Sequence, residues 1–383
     1  MNIHQYEAQP KKVALVHDFL VTYGGAERVL QALASMYPEA PIYTLLKDDS
    51  VVKRFFPGRD IRSSFLQTFP LWLRERYRSL VPLYPIAIET LDLREFDMVI
   101  SSSGAWSKGI ITRLHTRHIA YVHSPMRYAW EGREMYLDES LPWFVPRLCA
   151  RLWLSYIRLW DLETADRPDV LIANSGYTRD RIAKYYRQIS SVLYPPALFL
   201  AESKTEKALP KDERKHFLVV SRLTRSKKIE PVIEAFTKLE FPLIVVGSGR
   251  EKQNLERIAG KNITFVGKVS DKRLREYYRG ARALIFPSEE DFGMVAVEAL
   301  AAGTPVIAYE YGGIREILRI GETGEVFHSQ TPEVIAEAIK RFLEKEMTGY
   351  PIESLQRSVS QFSSEAFEKG IQKIVDGTHD EKR

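Results

Sequence analysis

Ser221-Arg222-Leu223 follows a short apolar run, and Lys227 stands five residues beyond Arg222, where a helical pattern begins. A guanidinium fork and an ammonium point charge at a helix N-terminus are the donors a departing diphosphate needs when no metal neutralises it. A second charged element, Pro287-Ser288-Glu289-Glu290-Asp291-Phe292-Gly293, also follows an apolar run, and Glu298 lies eight residues after Glu290. If most of that stretch is helical, it rises about 12 Å, comparable with the distance from ribose to hexose in a nucleotide sugar. Each carboxylate could then accept hydrogen bonds from the hydroxyls at one end. The backbone amides from Phe292 through Gly293 and Met294 to Val295 open a helix and suit phosphate or sugar oxygens. A glutamate inside Val295-Ala296-Val297-Glu298-Ala299-Leu300 is otherwise hard to justify energetically.

Loops of this kind need strands that end together. Short Val/Ile/Leu-rich runs alternate with helical patterns along the chain, which predicts parallel sheets with crossover helices. In the first half, strands are predicted at 13–19, 41–46, 96–102, 118–123, 170–174 and 192–194. In the second half they are predicted at 217–221, 243–246, 263–266, 283–286, 305–308 and 325–327. Helices are predicted between these at 229–239, 250–258, 271–279, 294–301 and 332–344, with a final amphipathic stretch at 354–375. The charged, apolar-poor segment 201–215 reads as a linker or exposed loop. The expected organisation is a first domain at 1–196, a second at 197–352, and a C-terminal helix with a disordered tail at 353–383. Two doubly wound Rossmann-like domains would face a cleft at their strand C-terminal edges, where such folds bind ligands.

Composition narrows the class. The 383 residues are 45% hydrophobic and 27% charged, the mixture of a soluble globular protein large enough for two cores. Cys149 is the single cysteine, so no cysteine-rich zinc site and no internal disulfide can form, which fits a reducing compartment and predicts a cytoplasmic protein. The first dozen residues lack the apolar core of a signal peptide, and no apolar stretch reaches the ~18 residues of a membrane span. No Asp-x-Asp motif occurs, and no cluster has metal-ligand spacing. Gly247-Ser248-Gly249 starts like a dinucleotide fingerprint but lacks the third glycine. The net charge of +5 is moderate and no nucleic-acid recognition module is present, so nucleic acid is not an expected partner.

The ordered set of motifs carries a resemblance. Arg222 with Lys227, the run from Glu290 to Ala308 that holds Glu298, and Gly312-Gly313 resemble glycosyltransferase family 4 over nearly the whole chain. Ser101-Ser102-Ser103, Tyr121-Val122-His123-Ser124-Pro125-Met126-Arg127-Tyr128 and Ile172-Ala173-Asn174-Ser175 look like its bacterial and archaeal polysaccharide mannosyltransferase branch. The resemblance implies an α/β fold of the GT-B kind, with the C-terminal helix crossing back to the first domain. It also implies metal-independent, retaining transfer of a hexose from a nucleotide diphosphate sugar, with GDP-mannose the favoured donor. Arg222 and Lys227 would bind the pyrophosphate, Glu290 the transferred sugar and Glu298 the ribose. His123 would sit near the sugar, while Gly24, Gly25 and Gly247 would let backbone approach the donor beside Phe292, Gly293, Met294 and Val295. Lys228, Asp291 and Arg315 stand where the family usually has glycine, glycine and proline. Gly104 and Ala197 replace a common histidine and aspartate, which leaves the acceptor side and the donor less defined. A nucleotide-sugar epimerase and a catalytically idle nucleotide-sugar-binding protein are the rival readings on this fold.

The segment 53–78 carries seven Lys or Arg against Asp60 and Glu75. From Arg54 to Tyr84 arginines are interleaved with Phe55, Phe56, Phe65, Phe69, Trp72, Tyr77 and Tyr84, a pattern that an anionic membrane surface or a lipid-linked phosphate would attract. A second candidate is 143–160, where Arg147, Arg151 and Arg158 can share a helical face. The acceptor expected from these features is lipid-linked or a saccharide, with peripheral attachment to the inner face of the membrane.

Overall fold

The computed structural model describes residues 12–140, 146–197, 209–346 and 349–377. The chain forms two compact units, one running to Tyr194 and resuming at Gly370, the other from Pro195 to Lys369. Each is built on a wholly parallel sheet. The first has seven strands in the order β3-β2-β1-β4-β5-β6-β7 and the second six in the order β10-β9-β8-β11-β12-β13.

In the first sheet the central strands are β1 (Val13–Leu20), β4 (Met98–Ser103) and β5 (Arg117–Val122). β2 (Ile42–Lys47) and β3 (Ile61–Ser63) extend it on one side, and β6 (Val170–Ala173) and β7 (Ser191–Val192) on the other. In the second, β8 (His216–Val220) and β11 (Ala281–Phe286) lie side by side at the centre. β9 (Leu243–Val246) and β10 (Ile263–Gly267) flank β8, and β12 (Val306–Tyr309) and β13 (Gly324–Phe327) flank β11. Strands buried on both faces read as unbroken apolar runs, and Ala14, Leu15 and Val16 or Leu218 and Val219 are wholly buried. Each order reverses direction once, between β1 and β4 and between β8 and β11, and such switch points are where doubly wound sheets open a crevice at their strand C-termini.

The alternating pattern therefore places every predicted strand, with ends shifted by one or two residues. It misses β3, whose three residues are too short to show an alternation. It also merges what the structure divides: the stretch 354–375 is a helix at Ile352–Ser358, a 3-10 turn at Ser360–Phe362 and a second helix at Ser364–Val375. The break is made by Phe362, buried and edge-on to Phe292 at 5.2 Å, and by Ser363, whose hydroxyl takes the Ala366 amide. The guanidinium of Arg117 donates to the carbonyls of Ile374 and Val375, which ties the end of that last helix to the first unit. Residues 1–11, 198–208 and 378–383, and with them most of the predicted linker and the tail, lie outside the described residues, as does Trp143.

Several polar residues inside the first unit meet specific partners, though His118 Nδ1 has none. His118 is fully buried on β5, its Nε2 2.9 Å from Ser101 Oγ, and burial followed by the nearby Arg167 pushes its pKa down to about 3. A neutral buried histidine that titrates near 6.5 once unfolded gives stability that is complete above that value and is lost as the pH falls below it. His17, whose pKa is raised, acts in the opposite sense, its contribution being full below 6.5 and lost as the pH rises through its folded value. All six tryptophans fall between positions 72 and 160, so their fluorescence follows the first unit alone. Urea unfolding read by tryptophan emission should therefore show His118→Gln losing about 2 kcal/mol less stability than the parent between pH 7 and pH 5. Equal losses in the two proteins would show that His118 is not the group that titrates.

Candidate active site

In the second unit the loops after β9, β8, β11 and β12 all emerge at one edge of the sheet, because the strands are parallel. Arg222 follows β8; it is exposed, and its guanidinium meets no carboxylate among the described residues. Lys227 lies in a 3-10 turn, Arg225–Lys227, rather than in the first turn of a helix as its sequence position suggests; the α-helix begins at Glu230. The turn ends at Lys228 in the left-handed region, φ 51°. That conformation explains why a glycine suits the position, and the lysine adopts it at some cost in strain.

Lys227 Nζ is 2.7 Å from Glu290 Oε1, which also accepts a hydrogen bond from Ser288 Oγ at 3.0 Å. The pair sits at the switch point between β8 and β11, and both side chains are partly open to solvent, at 19% and 26% exposure. Arg222, Lys227 and Glu290 are thus gathered by adjacent strand ends. The Glu290 loop is seated by Gly312-Gly313, which follow β12. The Gly313 amide donates to the Glu290 carbonyl at 2.8 Å, and a Cβ on Gly312 would lie 2.4 Å from that same oxygen. Gly247 after β9 is equally constrained, for a Cβ there would fall 1.8 Å from the Ser221 carbonyl. It shapes the turn that presents Arg222, whatever else approaches it.

The helical-rise estimate between Glu290 and Glu298 is corrected. Glu290 lies in an extended bridge to Gly312, Gly293 turns at φ 116°, and the helix runs only from Met294 to Ala301. The first amides bonded along it are those of Ala296 and Val297, both to the Gly293 carbonyl, so the amides of Met294 and Val295 precede the ladder and stand at its N-terminus. Phe292 is buried against Phe362. Glu298 is only 3% exposed, and the hydroxyl of the buried Tyr278 donates to its Oε2 at 2.9 Å. The cost of burying this glutamate is therefore offset in part within the unit, and its place on the ribose rests on the family resemblance.

In the first unit the corresponding edge is polar. Gly24 precedes the helix Gly25–Met36 in extended conformation, and its amide donates to Glu27 Oε2 at 2.8 Å. A Cβ at Gly24 would meet only that carboxylate, at 3.4 Å, so the fold does not itself demand glycine there. His123 follows β5, half-buried, with Nε2 2.8 Å from Ser102 Oγ at the end of β4, while its carbonyl accepts from Asn174 Nδ2. Ser102 in turn contacts His17, its register partner on β1. His17 faces Glu27 at 3.6 Å. Burial opposes charge on this ring, but Glu27, Asp18 and the Ser102 carbonyl outweigh it and hold its pKa above the ordinary value. Burial likewise opposes charge on Glu27, and the hydrogen bond and charge of His17 outweigh it and lower its pKa. Asp18 accepts from the amides of Gly104, Trp106 and Ser107 at 2.9, 3.1 and 2.7 Å, fixing the loop after β4. His17, Asp18 and Glu27 escape the motif reading, although two polar residues inside the run Val13–Leu20 were a visible signal. Among the described residues, no group of three or more His, Cys, Asp or Glu side chains is arranged to hold a metal.

Comparisons with known proteins agree with this architecture. Residues 23–196 match the model of glycosyltransferase family 4 and residues 201–377 that of glycosyl transferases group 1. An uncharacterized glycosyltransferase of Methanocaldococcus jannaschii is 35% identical over 142 residues, 34% of this chain and 36% of that protein. The GDP-mannose-dependent alpha-(1-6)-phosphatidylinositol monomannoside mannosyltransferase of Mycobacterium tuberculosis is 27% identical over 205 residues, 46% of this chain and 53% of that protein. The chain thus spans between about a third and a half of the length of these curated relatives. Among solved structures, Anabaena HepE in complex with UDP and glucose superposes with a TM-score of 0.70 at 17% identity, over 96% of this chain and all of that one. Sucrose-phosphate synthase from Thermosynechococcus elongatus does so with a TM-score of 0.70 at 20% identity, over 96% and 99%. Two parallel Rossmann-like units, matched in order by these two models, make the chain a member of the family 4 glycosyltransferases, of GT-B fold.

Proposed function

We propose that the chain is a metal-independent, retaining hexosyltransferase that uses a nucleotide diphosphate sugar, with GDP-mannose the preferred donor. The observation that carries this reading is the Lys227–Glu290 contact at the switch point beside the exposed Arg222. A partly solvated ion pair is held together weakly, so a diphosphate can take over Lys227 while Glu290 turns to a sugar hydroxyl. In the proposed reaction the acceptor oxygen attacks the anomeric carbon on the face the diphosphate leaves. The bond to the diphosphate breaks, and one of its oxygens takes the acceptor's proton. Arg222, Lys227 and the amides of Met294 and Val295 stabilise the charge that gathers on the leaving group. The mannosyl assignment is supported by relatives such as the Mycobacterium tuberculosis enzyme and the alpha-1,3/1,6-mannosyltransferase of Rhizomucor pusillus, 26% identical over 267 residues, 55% of this chain and 58% of that one.

We further propose a saccharide or lipid-linked acceptor reached from the cytoplasmic face of an anionic membrane. No helix among the described residues is long and apolar enough to cross a membrane. Leu71 and Trp72 are 60% and 62% exposed on the short helix Leu71–Glu75, and the exposed Arg76 follows them. The helix Arg147–Glu163 adds apolar surface rather than charge. Leu148, Leu152, Tyr156 and Leu159 are exposed at helical spacing, whereas Arg147 and Arg151 are spent on Asp138 and Glu134.

Three measurements test these readings. Transfer from GDP-mannose, or slow hydrolysis of the donor, should persist in excess EDTA; complete loss restored by magnesium or manganese would overturn metal independence. Lys227→Ala should lower turnover at saturating donor by two to three orders of magnitude, the equivalent of roughly 3 to 4 kcal/mol for one donor to a developing anion. Near-normal turnover would remove Lys227 from the reaction. Vesicles containing anionic lipid should sediment the parent at low salt and release it as salt rises, since exposed charges are screened over ~8 Å at physiological ionic strength. A Trp72→Ser, Arg76→Ser double variant should bind them more weakly with donor affinity unchanged, and co-sedimentation equal to the parent's would assign the acceptor to solution.

A further inference from the structure

The polar chain at the C-terminal ends of β1, β4 and β5 has a direction that can be read from donors and acceptors. His17 Nδ1 lies 3.0 Å from the carbonyl oxygen of Ser102 and 3.2 Å from Ser102 Oγ. A carbonyl oxygen can only accept, so His17 Nδ1 carries a proton. Were it bare, two lone pairs would face each other at a site where His17 is 2% and Ser102 0% exposed, and neither could turn to water. The opposite nitrogen, Nε2, faces Glu27 Oε1 at 3.6 Å, and that carboxylate favours a second proton there. Glu27 is itself held in place by the Gly24 amide.

The next link follows from counting protons. The Ser102 hydroxyl has one proton to give, and its side toward His17 meets an N–H, so there it accepts. Its own proton goes to its other neighbour, His123 Nε2, at 2.8 Å. His123 Nε2 is then an acceptor, and the neutral ring keeps its proton on Nδ1. We propose that His17 is a positioning residue which, through Ser102, fixes His123 as the Nδ1–H tautomer, so that the side chain presents a donor rather than an acceptor to a sugar oxygen. The sugar-facing part of this statement rests on the proposed transferase function; the tautomer itself does not.

The groups that face His17 are Glu27 from the following helix, Asp18 beside it on β1, and Ser102 on β4. Exchanging Glu27 for an uncharged residue takes away the reason for the second proton but not the carbonyl that holds the first. Glu27→Gln should therefore leave His17 neutral at pH 7.5 with its proton on Nδ1, and His123 unchanged. His17→Leu and Ser102→Ala both remove the link, and both should release His123 to a mixture of tautomers.

The test is two-bond proton–nitrogen NMR on the full chain labelled with nitrogen-15 histidine, His123 being assigned by its loss in His123→Asn. The parent should show His123 as the Nδ1–H form, in roughly tenfold excess or more for an unsatisfied buried group avoided, and His17 with a proton on Nδ1. His123 in the Nε2–H form in the parent overturns the proposal without any variant, so a failure of His17→Leu to fold leaves it decidable. A His17→Leu protein that folds and keeps His123 fully in the Nδ1–H form also overturns it. His17→Gln, whose amide can still donate to the Ser102 carbonyl, should restore the parent tautomer. In transfer assays His17→Leu should lower kcat about tenfold, with the donor KM within about twofold and His17→Gln closer to the parent. If the tautomers behave as described and no nucleotide sugar is consumed by the parent, the function proposed above fails while the positioning role of His17 stands.

Discussion

A charge removed from water must meet a partner, and the strand ends of both units are arranged around that requirement. In the first unit the loop after β4 is held from two sides. Asp18 takes three of its amides, and Lys108, 1% exposed, reaches the wholly buried Asp161 at 2.7 Å and Thr164 at 3.0 Å. Asp161 also accepts from Trp130 Nε1 and the Tyr186 hydroxyl, so its oxygens are fully used. One carboxylate thereby joins the helix Arg147–Glu163, the loop after β4, and the helix Gly176–Tyr186 that follows β6. Removing one partner from such a set would strand a buried charge, at a cost of roughly 3 to 5 kcal/mol. The position of Ser102, and through it of His123, is set by these contacts rather than by apolar packing alone.

How much of this could be read from the chain depends on whether the cause is local. Strands buried on both faces announce themselves as apolar runs bounded by turns, and so β1, β9 and the helix Met294–Ala301 were placed nearly residue for residue. The ordered motifs likewise set Arg222 and Glu290 after β8 and β11, although Lys227 falls in a 3-10 turn rather than at the start of a helix. Geometry set by distant residues left no such trace. The helical rise assumed from Glu290 to Glu298 fails because Gly312-Gly313, more than twenty positions later, draw the Glu290 loop into an extended bridge. The continuous helix expected at the C-terminus fails because Phe362 turns inward onto Phe292. Glu298 looked like an unpaid burial cost because Tyr278, its partner, lies twenty residues upstream in a helix of its own. Arg147 and Arg151 of the helix Arg147–Glu163 pair with carboxylates of the preceding helix, Arg158 bonds Ser155 instead, and Leu148, Leu152 and Leu159 are exposed beside them.

The two units answer the same electrostatic requirement differently, and the difference separates what is fixed from what can be exchanged. Lys108–Asp161 is closed to solvent, and His17, which faces Glu27, is 2% exposed. Exchanging a partner there for an incoming group would cost several kcal/mol. Lys227 and Glu290 are 19% and 26% exposed, in the range where an ion pair contributes about 1 kcal/mol or less. A doubly charged diphosphate oxygen set competes easily with a contact that weak, so the pair can keep both side chains ordered and still give up Lys227 when a donor arrives. Arg222, exposed and without a carboxylate among the described residues, needs no exchange at all. The Lys227–Glu290 contact is thus one the fold leaves exchangeable, whereas Lys108–Asp161 is one it closes.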